Sequence, residues 1–364
     1  MKVLIVDDSV VSRQVLKYIC HLAGDLEVVA EARDGYQALA YLDNPSSGVP
    51  DVITMDIEMP GMDGYETTSS ILARYSIPIV IISNAYNYPS AEKALKALRA
   101  GAVAAVGKPP GFGSPNFYLH AREIADLLRN SATVRPRRPV ADARKPSYGH
   151  TPIDSQLGDL PPFPIPQESM PKLIALGAST GGPPAVQEIL SRLPADFPVP
   201  ILVVQHIASG FAQHFATWLD NTCSIRCKLA EDGEDPMPGT VYIAPNDVHL
   251  IIGEGGHIRY RLANSRDLII PSIDTLFLSV AGQCGRHAIG ILLTGMGKDG
   301  AQGLLRLRQM GCITLAQDRE SSVVYGMPGE AERLGAAMRH LPPERISDIL
   351  LAIFGIHATP EREV

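Results

Sequence analysis

Four short, mostly apolar runs near the start of the chain each lead to a polar side chain, and this pattern restricts the fold more than any other feature. Runs of this kind are typical of strands buried on both faces of a parallel sheet. The carboxyl ends of parallel strands lie at one edge of the sheet, where ligands bind. The runs and the side chains that follow them are 2–6 with Asp7 and Asp8, 52–55 with Asp56, 79–82 with Ser83, and 102–106 with Lys108.

The side chains at this predicted sheet edge suit a divalent cation and a phosphoryl group. Carboxylate oxygens are the ligands that a hard cation prefers, and three aspartates follow the first two runs. An ammonium group and a hydroxyl group, here Lys108 and Ser83, can neutralise phosphoryl oxygens. The first part of the chain is therefore predicted to hold a cation-dependent phosphoryl site.

These residues, in this order, resemble the receiver domain of response regulators. The resemblance implies a flavodoxin-like receiver in which Asp56 accepts a phosphoryl group from a histidine kinase. It also implies that Asp8 and Asp56, with Asp7 nearby, hold Mg2+. Ser83 and Lys108 fall on the positions that respond to phosphorylation in that family.

The chain is long enough for two domains, and its composition excludes several classes of protein. It has 364 residues, a formal net charge of −7 and a pI near 5.8. Non-specific nucleic-acid binding needs a basic surface, so no nucleic-acid partner is expected. No apolar stretch approaches the length of a membrane-spanning helix, so direct membrane insertion is not expected. Five scattered cysteines fit a reduced, cytoplasmic protein.

A proline-rich segment separates the two predicted domains. It covers residues 131–169, between a receiver at 1–130 and a second domain at 170–358. Proline interrupts helices and sheets, and the first half of the segment is also basic. The composition predicts a semi-stiff extended linker, which serves either as a passive spacer or as a regulatory element.

The second domain opens with a glycine-rich turn that exposes a serine. Residues 172–176 form a buried-strand pattern, and Ser179 follows within Gly177-Ala178-Ser179-Thr180-Gly181-Gly182. The spacing fits the G-x-S-x-G turn that presents a nucleophile between a strand and a helix. Taken alone, the same turn is equally compatible with a phosphate-binding or ordinary glycine-rich loop.

Two further strand ends supply a base and an acid. His206 follows the apolar run 199–204, and Asp299 lies in the glycine-rich turn after 288–293. A serine hydroxyl needs a base to take its proton, and an imidazole does so when a carboxylate orients it. Asp274 is the rival carboxylate, but it precedes a helical pattern and is as well explained as an acid at a helix start. The other histidines, His249 among them, lack this context and are predicted to be packed or surface residues.

The motifs of the second half resemble the CheB methylesterase family of bacterial chemotaxis over about residues 170–355. The resemblance implies a doubly wound, mostly parallel α/β methylesterase domain, with Ser179, His206 and Asp299 at the catalytic positions. It also implies hydrolysis of glutamate methyl esters on the cytoplasmic domains of methyl-accepting chemoreceptors, and often deamidation of receptor glutamines. The phosphodonor would be a histidine kinase of the chemotaxis type. The motifs are 177–182, 205–206, 241–245, 271–274, 293–301 and 316–318.

The predicted chemistry needs no metal or other cofactor in the second domain. Ser179 attacks the acyl carbon, His206 moves the proton and Asp299 orients His206. Backbone N–H groups of Thr180 and Met296 are the predicted donors to the oxyanion. The receiver is expected to exclude the substrate until Asp56 is phosphorylated.

Two other classes of function are compatible with parts of the pattern. One is a response regulator whose second domain is a non-catalytic protein-binding module that uses the glycine-rich turn for docking. The other is a transcriptional regulator, which the acidic pI and the lack of a basic recognition stretch disfavour.

Overall fold

A computed structural model describes residues 1–83, 88–134, 168, 170–208, 210–264, 267 and 269–356. The chain divides into two compact units, each built around one parallel sheet. None of the described helices combines the length and apolar character needed to cross a membrane.

The first unit is a five-stranded parallel sheet with the strand order β2-β1-β3-β4-β5. This order and the alternation of strands and helices confirm the predicted flavodoxin-like receiver. Its elements are β1 (Lys2–Val6), α1 (Val10–Ala23), β2 (Glu27–Ala32), α2 (Gly35–Asp43), β3 (Val52–Met55), α3 (Gly64–Arg74), β4 (Ile79–Ser83), α4 (Tyr88–Arg99), β5 (Ala104–Gly107) and α5 (Phe117–Ala132).

Local sequence fixes where the receiver helices begin. The side chains of Ser9, Asp34 and Asp63 accept hydrogen bonds from backbone N–H groups in the first turns of α1, α2 and α3. Such caps satisfy N–H groups that have no partner within the helix. Helices α1 and α2 therefore start three or four residues after a strand end, and α3 starts nine residues after β3. The loops in between lie at the carboxyl edge of the sheet.

The second unit contains a seven-stranded sheet with the order β14-β13-β12-β6-β7-β9-β8, in which every neighbouring pair of strands is parallel. The predicted doubly wound, mostly parallel domain is confirmed. Its elements are β6 (Leu173–Ala178), α6 (Gly182–Leu190), β7 (Ile201–Gln205), α7 (Phe211–Thr222), β8 (Arg226–Leu229), β9 (Thr240–Ile243), β10 (Val248–Ile252), β11 (Ile258–Leu262), α8 (Ile273–Cys284), β12 (Ala288–Leu292), α9 (Ala301–Gln309), β13 (Ile313–Gln317), α10 (Met327–Leu334), β14 (Arg339–Leu341) and α11 (Pro343–Ile353).

A small antiparallel ribbon lies beside the large sheet. Strands β10 and β11 pair with each other, and the N–H of Ile252 donates to Oγ of Ser279 on α8 at 3.0 Å. Leu250, Ile252 and Ile258 belong to the same buried cluster as Phe277 on α8. The ribbon is thus packed against the helix whose first turn lies at the carboxyl edge of the sheet.

Each sheet has a switch point, at which the strands on its two sides follow one another in opposite directions across the sheet. In the receiver the switch point lies between β1 and β3, and in the second unit it lies between β6 and β12. The loops that leave two such strands run to opposite faces of the sheet and open a crevice between them. The sites described below lie at these two crevices.

The predicted domain limits remain predictions. Helix α5 ends at Ala132 and β6 begins at Leu173, which brackets the predicted linker. Most of that linker, residues 135–167 and 169, lies outside the described residues.

Candidate active site and phosphorylation site

Two buried carboxylates and a lysine meet at the receiver crevice. Asp7 and Asp56 are almost fully buried. Nζ of Lys108 lies 2.7 Å from Oδ2 of Asp56 and 3.1 Å from Oδ2 of Asp7. The backbone positions Lys108, because its N–H donates to the carbonyl of Ser83 at 2.9 Å. The ends of β1, β3, β4 and β5 therefore converge as the sequence predicts.

The aspartates of this crevice form an oxygen-rich cluster. Ligand oxygens of Asp7, Asp8 and Asp56 all lie within 4.8 Å of one another. Asp8 is exposed, so a cation there can keep water ligands, as Mg2+ prefers. The donor set and its opening to solvent fit Mg2+.

Burial raises the pKa of Asp56 to about 6; the hydrogen bond from Lys108 opposes this rise and the charge of Asp7 adds to it. Burial works against the charge of Lys108, but its contacts with Asp56 and Asp7 prevail and raise the pKa of Lys108. Added positive charge from a bound cation would favour the ionised form of Asp56.

Ser83 ends β4 beside this cluster. Its side chain is fully buried, and its Oγ has no hydrogen-bond partner within the described chain. An unpaired buried hydroxyl is costly, and a phosphoryl oxygen on Asp56 is a partner of suitable chemistry for it.

In the second unit, Ser179 lies directly after β6 on a tight turn. Its N–H donates to the carbonyl of Thr294 at 3.0 Å, and its carbonyl accepts from the N–H of Gly182 at 2.7 Å. Gly181 closes the turn with a φ of 76°, a left-handed conformation that favours glycine. A side chain at Gly181 would also collide with Val323. Within the described chain, Oγ of Ser179 forms no hydrogen bond.

His206 and Asp299 are in direct contact. Nε2 of His206 lies 3.0 Å from Oδ2 of Asp299, although 93 residues separate them along the chain. His206 follows β7, and its N–H donates to the carbonyl of Ala178 at 2.9 Å. That backbone bond brings the ends of β6 and β7 together, with His206 bonded to the residue before Ser179.

Asp299 is held by the first turn of α8. Its Oδ1 accepts from Oγ of Ser272 and from the N–H of Asp274, each at 3.0 Å. Its Oδ2 accepts from the N–H of Ile273 at 2.7 Å, in addition to His206. Burial opposes the charge of this carboxylate, but the hydrogen bonds from His206 and α8 outweigh burial and lower the pKa of Asp299.

The rival carboxylate, Asp274, points to a different partner. It lies in the first turn of α8, and its Oδ1 accepts from the N–H of Gly303 at 2.6 Å. Burial raises the pKa of Asp274. It therefore joins the starts of α8 and α9, while Asp299 contacts the imidazole.

The two predicted oxyanion donors flank the nucleophile turn. The N–H groups of Thr180 and Met296 donate to no other described residue. Gly295, just before Met296, packs so closely on Ser179 that a Cβ on it would lie 2.6 Å from Cβ of Ser179. Both N–H groups thus belong to residues beside Ser179 in the chain or in space.

Three side chains that the sequence did not identify as site residues organise the site. Gln205 is buried, and its Nε2 donates to the carbonyls of Ser179 at 2.9 Å and His206 at 2.8 Å. Oγ1 of Thr294 lies 3.0 Å from the carbonyl of Thr180. Ser272 both starts α8 and contacts Asp299. Only the position of Gln205 and Thr294 at strand ends could have identified them, and Ser272 offered only a helix-cap signal.

The chain joins a carboxylate cluster of receiver type to a second parallel α/β domain that has serine, histidine and aspartate at its strand ends. This is the architecture of a response regulator with an enzymatic output domain. Comparison with known families supports this class. The response regulator receiver domain model matches residues 3–113, and the CheB methylesterase model matches residues 174–350.

Curated relatives match nearly the whole chain. Protein-glutamate methylesterase/protein-glutamine glutaminase 2 of Methanospirillum hungatei is 38% identical over 97% of this chain and 98% of its own length. The protein-glutamate methylesterase/protein-glutamine glutaminase of Nitrosospira multiformis is 41% identical over 96% of both chains. The CheB methylesterase catalytic domain of Thermotoga maritima, a crystal structure, is 38% identical, with a TM-score of 0.48 over 50% of this chain and 97% of its own. The chain belongs to the CheB family of protein-glutamate methylesterases.

Proposed function

We propose that the protein is a phosphorylation-regulated methylesterase that hydrolyses glutamate methyl esters on the cytoplasmic domains of methyl-accepting chemoreceptors. The observation that carries this proposal is the contact of His206 with Asp299 beside Ser179, in a chain of the CheB family. The same family relationship disfavours a non-catalytic binding module as the role of the second domain.

In the proposed reaction, Oγ of Ser179 attacks the acyl carbon of the glutamate ester while His206 takes the hydroxyl proton. The tetrahedral intermediate collapses, the C–O bond to the methoxy group breaks, and His206 returns the proton to release methanol. A water molecule then attacks the acyl-enzyme by the same route, which leaves a glutamate carboxylate and free Ser179.

Geometry supports Nδ1 of His206 as the base. Asp299 is an ionised acceptor, so Nε2 carries the proton of their hydrogen bond, and the lone pair of the neutral ring is on Nδ1. The Ser179–His206 hydrogen bond forms with substrate in this proposal, since catalytic hydrogen bonds often tighten only in the complex.

The N–H groups of Thr180 and Met296 are the proposed donors to the oxyanion. Both lack an acceptor within the described chain and lie beside Ser179. Loss of one such donor typically costs about 3 kcal/mol of transition-state stabilisation. The same machinery would deamidate a glutamine, with ammonia in place of methanol as the leaving group.

The receiver is the proposed regulatory input. A histidine kinase of the chemotaxis type donates a phosphoryl group to Asp56. Bound Mg2+, held by Asp7, Asp8 and Asp56, would neutralise charge on the phosphoryl oxygens. Lys108 and Ser83 contact those oxygens, and the orphaned hydroxyl of Ser83 gains a partner. Because its proposed substrates are the cytoplasmic domains of the receptors, the protein is proposed to act in the cytoplasm.

Phosphorylation is proposed to relieve inhibition of the second domain by the receiver. A full shift of a closed-to-open ratio from 99:1 to 1:99 requires about 5.5 kcal/mol of differential stabilisation, so partial activation is expected. Deleting residues 1–140 should raise the basal methylesterase activity. Unchanged or lower activity of the truncated protein would contradict this mode of control.

Methanol release from methylated receptor membranes tests the whole proposal. Wild type and Ser179→Ala are compared, each with and without a small phosphodonor plus Mg2+. We expect release that requires Ser179 and rises with the phosphodonor. Full activity of Ser179→Ala would exclude the serine mechanism, and inactivity of the wild type would favour a binding role or another ester.

A further inference from the structure

A second histidine–aspartate pair contacts the start of α8, the segment that holds Asp299. His249, on β10, is completely buried. Its Nδ1 lies 3.0 Å from the N–H of Ser272, and its Nε2 lies 3.2 Å from Oδ2 of Asp267. Because an N–H must donate to an unprotonated nitrogen, Nδ1 is the acceptor and Nε2 carries the proton. The contact of Nε2 with Asp267 is electrostatic, since its geometry does not form a hydrogen bond.

His249 holds Ser272, and Ser272 in turn contacts the carboxylate of Asp299. Ser272 donates through Oγ to Asp299 at 3.0 Å, and the two following N–H groups also donate to Asp299. The N–H of Ser272 has its acceptor on His249. A chain of contacts therefore runs from His249 through Ser272 and Asp299 to His206.

An ion pair between Arg261 and Asp267 holds the end of this series of contacts that is farthest from His206. Asp267 accepts from both terminal nitrogens of Arg261, at 3.1 and 3.3 Å, and Arg261 also reaches Oγ1 of Thr275 on α8 at 3.3 Å. The ribbon strands β10 and β11 thus both hold the first turn of α8. That turn supplies three of the four hydrogen bonds to Asp299.

We propose that His249 is a positioning residue for the ester hydrolysis, which acts by holding Ser272 and the first turn of α8 so that Asp299 keeps His206 oriented. This inference rests on the proposed function of Ser179, His206 and Asp299. His249 can hold Ser272 only as a neutral ring, because a protonated Nδ1 would face the Ser272 N–H as a second donor. Burial and the charge of Arg261 lower the pKa of His249, which favours the neutral ring.

Two substitutions of similar polarity distinguish the contribution of Nδ1 of His249 from that of Nε2. In His249→Asn the amide oxygen can occupy the place of Nδ1 and accept from Ser272. In His249→Gln the longer amide reaches toward Asp267 instead and leaves the Ser272 N–H without its acceptor. His340→Gln is the matched control, because His340 is also inside the second unit but on β14, three strands from β6.

The test uses the full chain and two readouts. In methanol release we expect His249→Gln to lower kcat roughly 10- to 100-fold with KM nearly unchanged, as displacement of a catalytic group does. We expect His249→Asn and His340→Gln to keep kcat close to that of wild type, because the first retains an acceptor for Ser272 and the second lies outside the contacts of Asp299. In proton NMR, the signal of the His206 Nε2–H should move in His249→Gln and remain in place in His249→Asn.

Wild-type kcat and an unmoved His206 signal in His249→Gln would overturn the inference. Equal losses in the Asn and Gln variants would also overturn it, since they would reflect general packing and not the acceptor for Ser272. Failure of the proposed function is distinguishable, because it appears either as methanol release that does not depend on Ser179 or as no release from the wild type. The NMR comparison still reports whether His249 positions the His206–Asp299 pair in that case.

Discussion

Oδ2 of Asp299 accepts from Nε2 of His206 at 3.0 Å, and this one contact assigns the histidine tautomer. Because the hydrogen bonds to Asp299 lower its pKa, the carboxylate is ionised near neutral pH and Nε2 must be the protonated nitrogen. Nδ1 is then the free base that faces away from Asp299.

Asp299→Asn should reduce kcat on the order of 10⁴-fold, the typical effect when the orienting carboxylate of such a triad becomes an amide. Four donors converge on Asp299, and the NH2 of asparagine cannot accept from any of them. Asp274→Asn is the control, because its amide oxygen can still accept from Gly303. Methanol release measures both variants. Comparable losses in the two would contradict a specific role of Asp299 as the orienting acid.

Asp56→Asn should abolish both phosphorylation by a small phosphodonor and the stimulation of ester hydrolysis, while the basal rate persists. The amide cannot form the acyl phosphate, and it also weakens the contact with Lys108. Asp126→Asn, an exposed residue on α5 paired with Arg129, serves as the control. Labelled phosphate on the protein and methanol release are measured together. Stimulation that survives in Asp56→Asn would place the phosphoryl acceptor elsewhere.

Gly295→Ala should lower ester hydrolysis strongly, because the new Cβ would lie 2.6 Å from Cβ of Ser179 and 2.5 Å from Sδ of Met327. Relief of that overlap displaces either the nucleophile or the N–H of Met296. Gly282→Ala is the control: its Cβ meets nothing within 4 Å, and alanine favours the α8 helix by about 1 kcal/mol over glycine. Equal kcat in the two variants would contradict the close packing at Ser179.

Acidification should destabilise the second unit through His249. Burial lowers the pKa of His249. Below about pH 6.5 the unfolded chain therefore binds a proton that the folded ring resists, and the free energy of unfolding decreases as the pH is lowered. One such group contributes at most about 1.4 kcal/mol per pH unit. The charged groups that face the ring are Arg261, Asp267 and Asp299; Asp267 has a pKa lowered to about 2 and stays ionised throughout this range.

Urea unfolding at pH 7 and pH 5.5 measures this linkage. Trp218 is the chain's single tryptophan and is buried in the second unit, so its fluorescence reports on that unit. The stability difference between wild type and His249→Asn should narrow at the lower pH, because only the wild type loses the His249 contribution. A difference that stays constant would mean that His249 titrates as in the unfolded chain.

The sequence predicted which residues would reach each crevice, since apolar runs place their successors at the carboxyl ends of parallel strands. That local rule was enough to predict which sheet edge each of these residues reaches: Asp7, Asp56, Lys108, Ser179 and His206. The same runs predicted parallel sheets, and the family resemblances then implied the flavodoxin-like and doubly wound folds. Recognition of the spaced motifs then indicated the chemistry.

Contacts between residues distant in the chain were decided only by the tertiary structure. The sequence left Asp274 as a rival to Asp299, and it gave His249 no role. Their partners depend on the strand order, which brings the first turn of α8 and the ribbon strand β10 to the loop after β12. A strand-end pattern is local and periodic, so sequence determines it. The choice of hydrogen-bond partner among converging loops is a long-range packing outcome, and only the folded chain determines it.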